Sequence, residues 1–151
     1  MASFPKISKL KTINAFQDHL AFLEANVHLN LPFETEIESG IQSPLARPLD
    51  VYGKKIGNRF CVLPMEGWDG TTDGDPTELT IRRWRRFGSS GAKLIWGGEA
   101  VAVQRDGRAN PNQLMIGESN LLAMEALRNE LVNEHQNTFG MVSDLSVGLQ
   151  L

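Results

Sequence analysis

Apolar runs alternate with helical sequence through the later part of the chain. The run Phe60–Met65 is apolar throughout, which is typical of a parallel strand covered on both faces. A second run, Gly91–Gly98, leads into Glu99 and Ala100, and a third strand is predicted over Leu145–Leu151. Because helical sequence separates the runs, the order is β-α-β-α-β. The right-handed crossover rule then predicts parallel strands with helices packed outside them.

Both segments between these runs carry helix signals. The segment Asp75–Glu78 offers an aspartate as N-cap, a proline at N1 and a glutamate at N3 of a helix that closes at Gly88. A second, longer helix is predicted from a cap at Ser119 to about Gln136. Its apolar face is formed by Leu121, Met124, Leu127 and Leu131.

The earlier part of the chain predicts a helical arm and a hairpin. Apolar residues recur at helical spacing from about residue 13 to 26, and residues 38–48 are rich in turn formers. A strand over Leu49–Tyr52, a turn at Gly53-Lys54-Lys55 and a second strand after Gly57 are then expected. We therefore predict an N-terminal helical arm over residues 1–40 and a sheet domain over residues 41–151.

Three parallel strands with two helices leave an open sheet edge and uncovered apolar faces, which soluble proteins avoid. The sheet is therefore expected to be rearranged or to be part of a longer protein. A complete (β/α)₈ barrel takes about 250 residues, and the 151 residues of this chain allow fewer than three of its units. The open edge is also a candidate surface for oligomerisation.

Composition argues against several classes of partner. The 15 basic and 18 acidic residues give a net charge of −3, without the basic surface that nucleic acids or anionic membranes require. The N-terminus has no signal-peptide core, and no apolar stretch approaches the length of a membrane span, about 18 residues.

The lone cysteine, Cys61, is expected to be a small buried residue, and no Cys/His cluster has the spacing of zinc ligands. We predict a cytoplasmic protein.

Two motifs allow a second interpretation that their spacing disfavours. The loop Asp69–Asp75 begins like a calcium-binding loop, but Thr80 stands where a bidentate glutamate is needed, so a turn leading into a helix is favoured. Trp84 is flanked by basic residues, which helical spacing assigns to a solvated face rather than to nucleic-acid binding. These basic residues are Arg82, Arg83, Arg85 and Arg86.

Polar or small residues follow the carboxyl ends of the first two apolar strands, the edge where barrels bind ligands. Glu66 and Gly67 follow the first strand, and Glu99 and Ala100 follow the second. From the residues alone, two interpretations of Glu66 and Glu99 have equal weight: the glutamates contribute to a ligand site, or they only cap loops.

None of the three histidines stands beside a Ser, Cys or Asp that would complete a catalytic triad, so all three histidines are expected at the surface. They are His19, His28 and His135.

An ordered set of short segments extends from residue 57 to the end of the chain. The segments are Gly57-Asn58-Arg59, Leu63-Pro64-Met65, Asp69-Gly70, Thr72-Asp73, Gly91–Ile95, Glu99–Val103, Asp106-Gly107-Arg108 and Gly148–Leu151. In order and spacing they resemble the Old Yellow Enzyme family of NADH:flavin oxidoreductases. The resemblance runs from about Ser43 to the last residue and does not include the helical arm.

Members of that family are (β/α)₈ barrels that bind FMN at the mouth formed by the carboxyl ends of the strands. The resemblance implies an α/β fold, namely the N-terminal part of such a barrel with its hairpin and β-α-β-α-β units. It implies that the exit of the first strand, Pro64, Met65 and Glu66, meets the flavin ring. It also implies that the main chain of Ala100 faces the flavin near its C4 carbonyl, and that the Gln150 amide pairs with the pyrimidine edge.

Glu66 departs from the family pattern, which commonly has a small Thr or Cys at this position to tune the flavin by hydrogen bonding. An ionised carboxylate opposes the negative charge of the reduced flavin and lowers its potential, unless burial raises the carboxyl pKa. Trp68, close by, is either a wall of the pocket or a packed loop aromatic.

The activity that the resemblance implies is a two-step hydride transfer. NAD(P)H reduces FMN at N5, and the reduced flavin then reduces the β-carbon of an α,β-unsaturated carbonyl compound. In such chains the His pair that holds the carbonyl and the loops that bind the FMN phosphate come later, so no catalytic residue is assigned here. We expect the N-terminal fragment of an FMN-dependent oxidoreductase, inactive alone. The competing hypothesis is a non-catalytic binding or interaction protein derived from the same barrel.

Overall fold

The computed structural model describes residues 5–151, apart from the surroundings of Ile7 and Gly98. Residues 1–4, the beginning of the predicted arm, lie outside the described residues. The chain divides into two compact units, of which the first ends at Ser39 and the second spans Gly40–Leu151. No helix within the described residues is both long enough and apolar enough to cross a bilayer.

The first unit contains a 3₁₀ turn at Ile7–Lys9 and the helix α1, Ile13–Val27. Thr12 caps the start of α1, because its hydroxyl accepts a hydrogen bond from the Ala15 N–H at 3.1 Å. His28 ends the helix in the left-handed conformation, with φ of 55°. The helix predicted over residues 13–26 is therefore confirmed.

The second unit begins with a 3₁₀ turn followed by a hairpin of β1, Leu49–Val51, and β2, Lys54–Ile56. Tyr52 and Gly53 form the two-residue turn, with φ of 51° and 77°. Positive φ at both positions gives the twist that joins antiparallel strands most directly. The prediction of a turn over the two lysines and a strand after Gly57 is therefore wrong, since the lysines already belong to β2.

The main sheet has three parallel strands in the order β3-β4-β5. They are β3 (Cys61–Val62), β4 (Leu94–Ala100) and β5 (Ser146–Gln150). The helices α2, Glu78–Ser89, and α3, Leu121–Phe139, connect them in sequence. This mixed α/β architecture with parallel strands confirms the predicted order β-α-β-α-β.

One face of the sheet is covered by helices. Ile95 of β4 is fully buried in a core with Trp84 of α2 and Leu127 of α3, and Val147 and Leu149 of β5 pack against that core. The side chain that follows Ile95, Trp96, points to the opposite face and is 52% exposed. The sheet therefore has one helix-covered face and one open face.

The first apolar strand is shorter and more exposed than the sequence predicts. Only Cys61–Val62 forms a strand within the predicted segment Phe60–Met65. Its single neighbour in the described sheet is β4, so its outer edge and the adjoining loop are not covered. The prediction that Cys61 is buried is wrong for the same reason. The exposed residues of this segment are Phe60, Cys61, Leu63 and Met65.

Both helices of the second unit begin later than predicted. Thr77, not Asp75, is the N-cap of α2, and its N–H donates to the Thr80 hydroxyl at 3.2 Å. Asn120, not Ser119, is the N-cap of α3. The Asp75 carboxylate instead accepts a hydrogen bond from the Asn120 amide at 2.6 Å, which joins the starts of the two helices.

The amino end of the sheet holds a buried histidine, contrary to the prediction of three surface histidines. His135 of α3 is fully buried, whereas His19 is half-buried and His28 is exposed. The Lys93 ammonium lies 2.9 Å from His135 Nε2 and 2.9 Å from Asp144 Oδ1. Because an ammonium only donates, Nε2 accepts and the ring is neutral.

Candidate functional site

A bulge near the end of β4 sets the direction of Glu99. Between two paired positions, three residues of β4 lie opposite one residue of β5. Gly97 makes this possible: its φ is 60°, and a Cβ there would lie 2.6 Å from the backbone nitrogen of Gln150. Glu99 is consequently turned into the protein and fully buried, while Ala100 returns to the ladder opposite Gln150.

Glu99 belongs to a cluster of charged side chains, here called the Arg83 cluster, which consists of Arg83, Asp69 and Glu99. Glu99 Oε1 accepts the N–H of Gly67 at 2.6 Å, and Glu99 Oε2 accepts from Arg83 Nη2. Arg83 also donates to both carboxylate oxygens of Asp69, at 2.8 and 3.0 Å. The Arg83 side chain is only 24% exposed, so its predicted place on a solvated face is wrong.

The charges of the cluster are set by burial and by hydrogen bonds. Burial raises the pKa of Glu99, against the opposing effects of the Gly67 N–H and Arg83. Burial acts in the same direction on Asp69, but hydrogen bonds from Arg83 and Thr80 outweigh it and leave the Asp69 pKa below its usual value. Of the two carboxyl groups, Glu99 is therefore the one that accepts a proton first as the pH falls.

Further hydrogen bonds fix the loop that follows β3. The Asp69 carbonyl accepts from the hydroxyls of Thr77 and Thr80 at 2.5 and 3.1 Å. Gly70 and Asn112 are joined by two hydrogen bonds, at 2.9 Å from the Gly70 N–H and 2.8 Å from the Asn112 amide. The loop is thus attached to the start of α2 and to the loop that follows β4.

A cavity of about 350 Å³ lies at the carboxyl ends of β4 and β5. Three of the five residues predicted to bind a cofactor line it, namely Glu66, Ala100 and Gln150. The other two, Pro64 and Met65, are not among its lining residues, and Met65 is 76% exposed beside the open edge of β3. The structure therefore brings together residues from the ends of three consecutive strands.

Two of the three glutamines that line this cavity, Gln113 and Gln150, have different roles. Gln113 is buried, and its amide donates to the Ala100 carbonyl at 3.1 Å and accepts the Ala109 N–H at 2.7 Å. It therefore holds the loop after β4 in place. Gln150 is exposed, and within residues 5–151 its amide has no hydrogen-bond partner, which leaves a donor and an acceptor for a ligand. Sequence reasoning missed Gln113, because a glutamine in a polar loop carries no distinguishing signal.

The two glutamates that sequence reasoning left open have different roles. Glu99 is committed to the Arg83 cluster and does not line the cavity. Glu66 is half-buried and lines it, and one of its oxygens, Oε2, accepts from the Trp68 indole N–H at 2.7 Å. Trp68 is not a wall of this cavity but a hydrogen-bond partner of Glu66. It adopts a left-handed backbone conformation, with φ of 51°.

The described part of the chain offers no arrangement of three or more His, Cys, Asp or Glu that would hold a metal ion. Comparison of the chain with family models and with curated proteins found no match.

Proposed function

We propose that this chain forms the first part of a (β/α)₈-barrel oxidoreductase that binds FMN and uses NAD(P)H to reduce α,β-unsaturated carbonyl compounds. One observation carries the proposal: Glu66, Ala100 and Gln150, which follow or end three consecutive parallel strands, meet at one cavity. Barrel enzymes place their ligands at this edge, because the loops after the strands converge there.

The strand order supports a barrel. The three parallel strands lie side by side in chain order, and both intervening helices pack against the same face of the sheet in one hydrophobic core. A doubly wound sheet would carry helices on both faces. The hairpin lies by the open face, where Leu49 and Val51 share a cavity of about 330 Å³ with Leu94 and Trp96. In the proposed barrel the open face is the interior, and the hairpin covers part of it.

The cavity fits one edge of a flavin. Its volume is near the lower end of the roughly 300–1,000 Å³ typical of ligand pockets, as expected for one side of a larger site. The Gln150 amide offers a donor and an acceptor to the pyrimidine edge, and the small side chain of Ala100 permits close approach to the main chain. Bound FMN would supply hydride transfer at N5, and the residues described here bind and orient its ring.

The described residues account for one side of the site only. Glu66 provides a carboxylate beside the ring, with Oε1 not used by any residue of 5–151. The groups that hold the FMN phosphate and the substrate carbonyl are proposed to come from further chain. The 151 residues alone are therefore not expected to catalyse turnover.

Replacement of Gln150 by Leu tests the proposal in the full-length protein. Loss of one or two hydrogen bonds is expected to weaken FMN binding by about 1 to 3 kcal/mol, measured by titration with FMN. Gln136→Leu is the control, because Gln136 is exposed in the last turn of α3 and does not line the cavity. Equal affinities of the two variants would contradict the assigned role of Gln150.

The competing hypothesis of a non-catalytic interaction protein is favoured by a different observation, the exposure of Leu63, Met65 and Trp96. Exposed apolar side chains of this size also suit a protein partner. Visible flavin absorbance of the purified protein, together with its size in solution, distinguishes the two. A 151-residue chain that is monodisperse and retains FMN would show that the proposal of a barrel fragment is wrong.

A further inference from the structure

We propose that Arg83 is a positioning residue, which fixes the place of the Glu66 carboxylate at the cavity although it does not line that cavity itself. The effect on bound flavin rests on the function proposed above. The positioning of the loop rests only on the contacts of the Arg83 cluster.

The first step is the link between Arg83 and Glu99. Glu99 is fully buried, and Arg83 is its cationic partner. A buried carboxylate that loses its cation is strongly disfavoured, so it must take up a proton or turn toward water. Both responses weaken the hydrogen bond that the Gly67 N–H donates to Glu99 Oε1, which is 2.6 Å long. Arg83 therefore controls the acceptor of this N–H.

The second step is the link between Gly67 and Glu66. The Gly67 N–H belongs to the peptide group that joins Glu66 to Gly67, so Glu99 holds the main chain of Glu66 itself. On the other side of the loop, Arg83 binds both oxygens of Asp69. A Cβ at Gly67 would overlap the Arg83 guanidinium, so the loop lies directly against this side chain. Arg83 thus contacts the loop at Gly67 and at Asp69.

The third step concerns the carboxylate at the cavity. Glu66 Oε2 accepts from the Trp68 indole at 2.7 Å, so the two side chains on either side of Gly67 are joined. Movement of Gly67 displaces this pair as a unit. In the proposed holoprotein, an ionised Glu66 near the ring disfavours the negative charge of the reduced flavin. Displacement of the carboxylate toward water would raise the flavin potential.

Amide hydrogen exchange of Gly67 in the full-length protein without FMN tests the positioning alone. Arg83→Lys keeps the charge, but one ammonium does not reproduce the planar fork that bridges Asp69 and Glu99. Exchange of Gly67 is expected to be roughly tenfold faster than in the unmodified protein. Arg82→Lys is the control on the exposed side of α2, with unchanged exchange expected. Equal exchange of Gly67 in both variants would overturn the proposal.

The reduction potential of bound FMN tests whether Arg83 acts through Glu66. Glu66→Gln removes the charge and is expected to raise the potential, and Arg83→Lys is expected to raise it by a smaller amount. If Arg83 acts through Glu66, the double variant has the potential of Glu66→Gln alone. Two shifts that simply add would refute the proposed role of Arg83. An unmodified protein that binds no FMN would instead refute the proposed function, while the exchange of Gly67 still decides the positioning.

Circular dichroism establishes whether Arg83→Lys folds. If it does not, Glu99→Gln supplies the same two measurements, since it keeps an oxygen near Gly67 but removes the charge that binds Arg83. Faster Gly67 exchange and the same lack of additivity with Glu66→Gln are then expected. Unchanged exchange in Glu99→Gln would overturn the proposal.

Discussion

Single buried side chains connect distant parts of this chain. Lys93 at the start of the sheet binds His135 of α3 and Asp144, and the carbonyl of Gly88 in α2 lies 2.8 Å from His135 Nδ1. Since Nε2 accepts from Lys93, Nδ1 carries the proton and donates a hydrogen bond to the Gly88 carbonyl. Protonation of the ring would place two cations in contact. The neutral form of His135 is therefore part of the folded structure.

This arrangement predicts a loss of stability at mildly acidic pH. Burial is the main cause that lowers the pKa of His135, and the nearby Lys93 charge acts in the same direction. The unfolded chain, with a histidine pKa of about 6.5, therefore binds the proton first as the pH falls. The contribution of His135 to stability is complete above that value and decreases below it.

Denaturant unfolding at about pH 7 and about pH 5 measures this effect around the usual histidine pKa. In His135→Gln, the free energy of unfolding is expected to be lower at the higher pH and to change less between the two. His28→Gln is the matched control, because His28 is exposed. The same pH dependence in His135→Gln and in the unmodified protein would contradict the neutral, buried ring.

At the scale of elements, contacts between helix starts decide where the helices begin. Asp75 and Asn120 lie 45 residues apart, yet their side chains are hydrogen-bonded at 2.6 Å. Asn120 also donates to the Asp73 carbonyl at 3.2 Å. Capping preferences describe one helix at a time, so they do not predict a hydrogen bond between the starts of two helices. The loop Asp69–Asp75 is therefore a junction between the starts of α2 and α3.

Replacement of Asn120 by Ala is expected to destabilise the protein by about 1 to 3 kcal/mol, because the buried Asn120 amide donates to the Asp73 carbonyl and to the half-buried Asp75 carboxylate, and both hydrogen bonds are lost. Ser119→Ala, at the cap position that the sequence predicts, is expected to cost less than about 0.5 kcal/mol, since Ser119 is exposed. Thermal unfolding of both variants measures the difference. A larger loss in Ser119→Ala than in Asn120→Ala would show that the helix start is misassigned.

At the scale of the whole molecule, two boundaries of the described sheet are open besides the outer edge of β5. One is the face that carries Trp96, and the other is the edge of β3 beside Leu63 and Met65. In a closed barrel both would be covered, by side chains inside and by the neighbouring strand. If the chain is part of a barrel, both the open face and the edge of β3 are therefore expected to be buried in the full-length protein.

Leu63→Ala in the full-length protein measures this covering. Leu63 is 70% exposed in the described chain, but as part of a closed barrel its loss should cost about 2 to 5 kcal/mol, as for a core leucine. Leu122→Ala is the control, because Leu122 is 79% exposed on a helix, and less than about 0.5 kcal/mol is expected. Equal and small losses in denaturant unfolding would mean that Leu63 remains uncovered, against the barrel.

The sequence by itself determined the order of the elements, the parallel sheet and the helix α1, because these depend on periodicity and crossover rules that operate over short stretches. The resemblance named Glu66, Ala100 and Gln150 as ligand residues, and the tertiary structure places all three at one cavity. Only the tertiary structure decided which side chains form the buried ion pairs. Arg83 meets Glu99 across 16 residues and Lys93 meets Asp144 across 51. Pairing at such separations depends on how the chain packs, which no local pattern encodes.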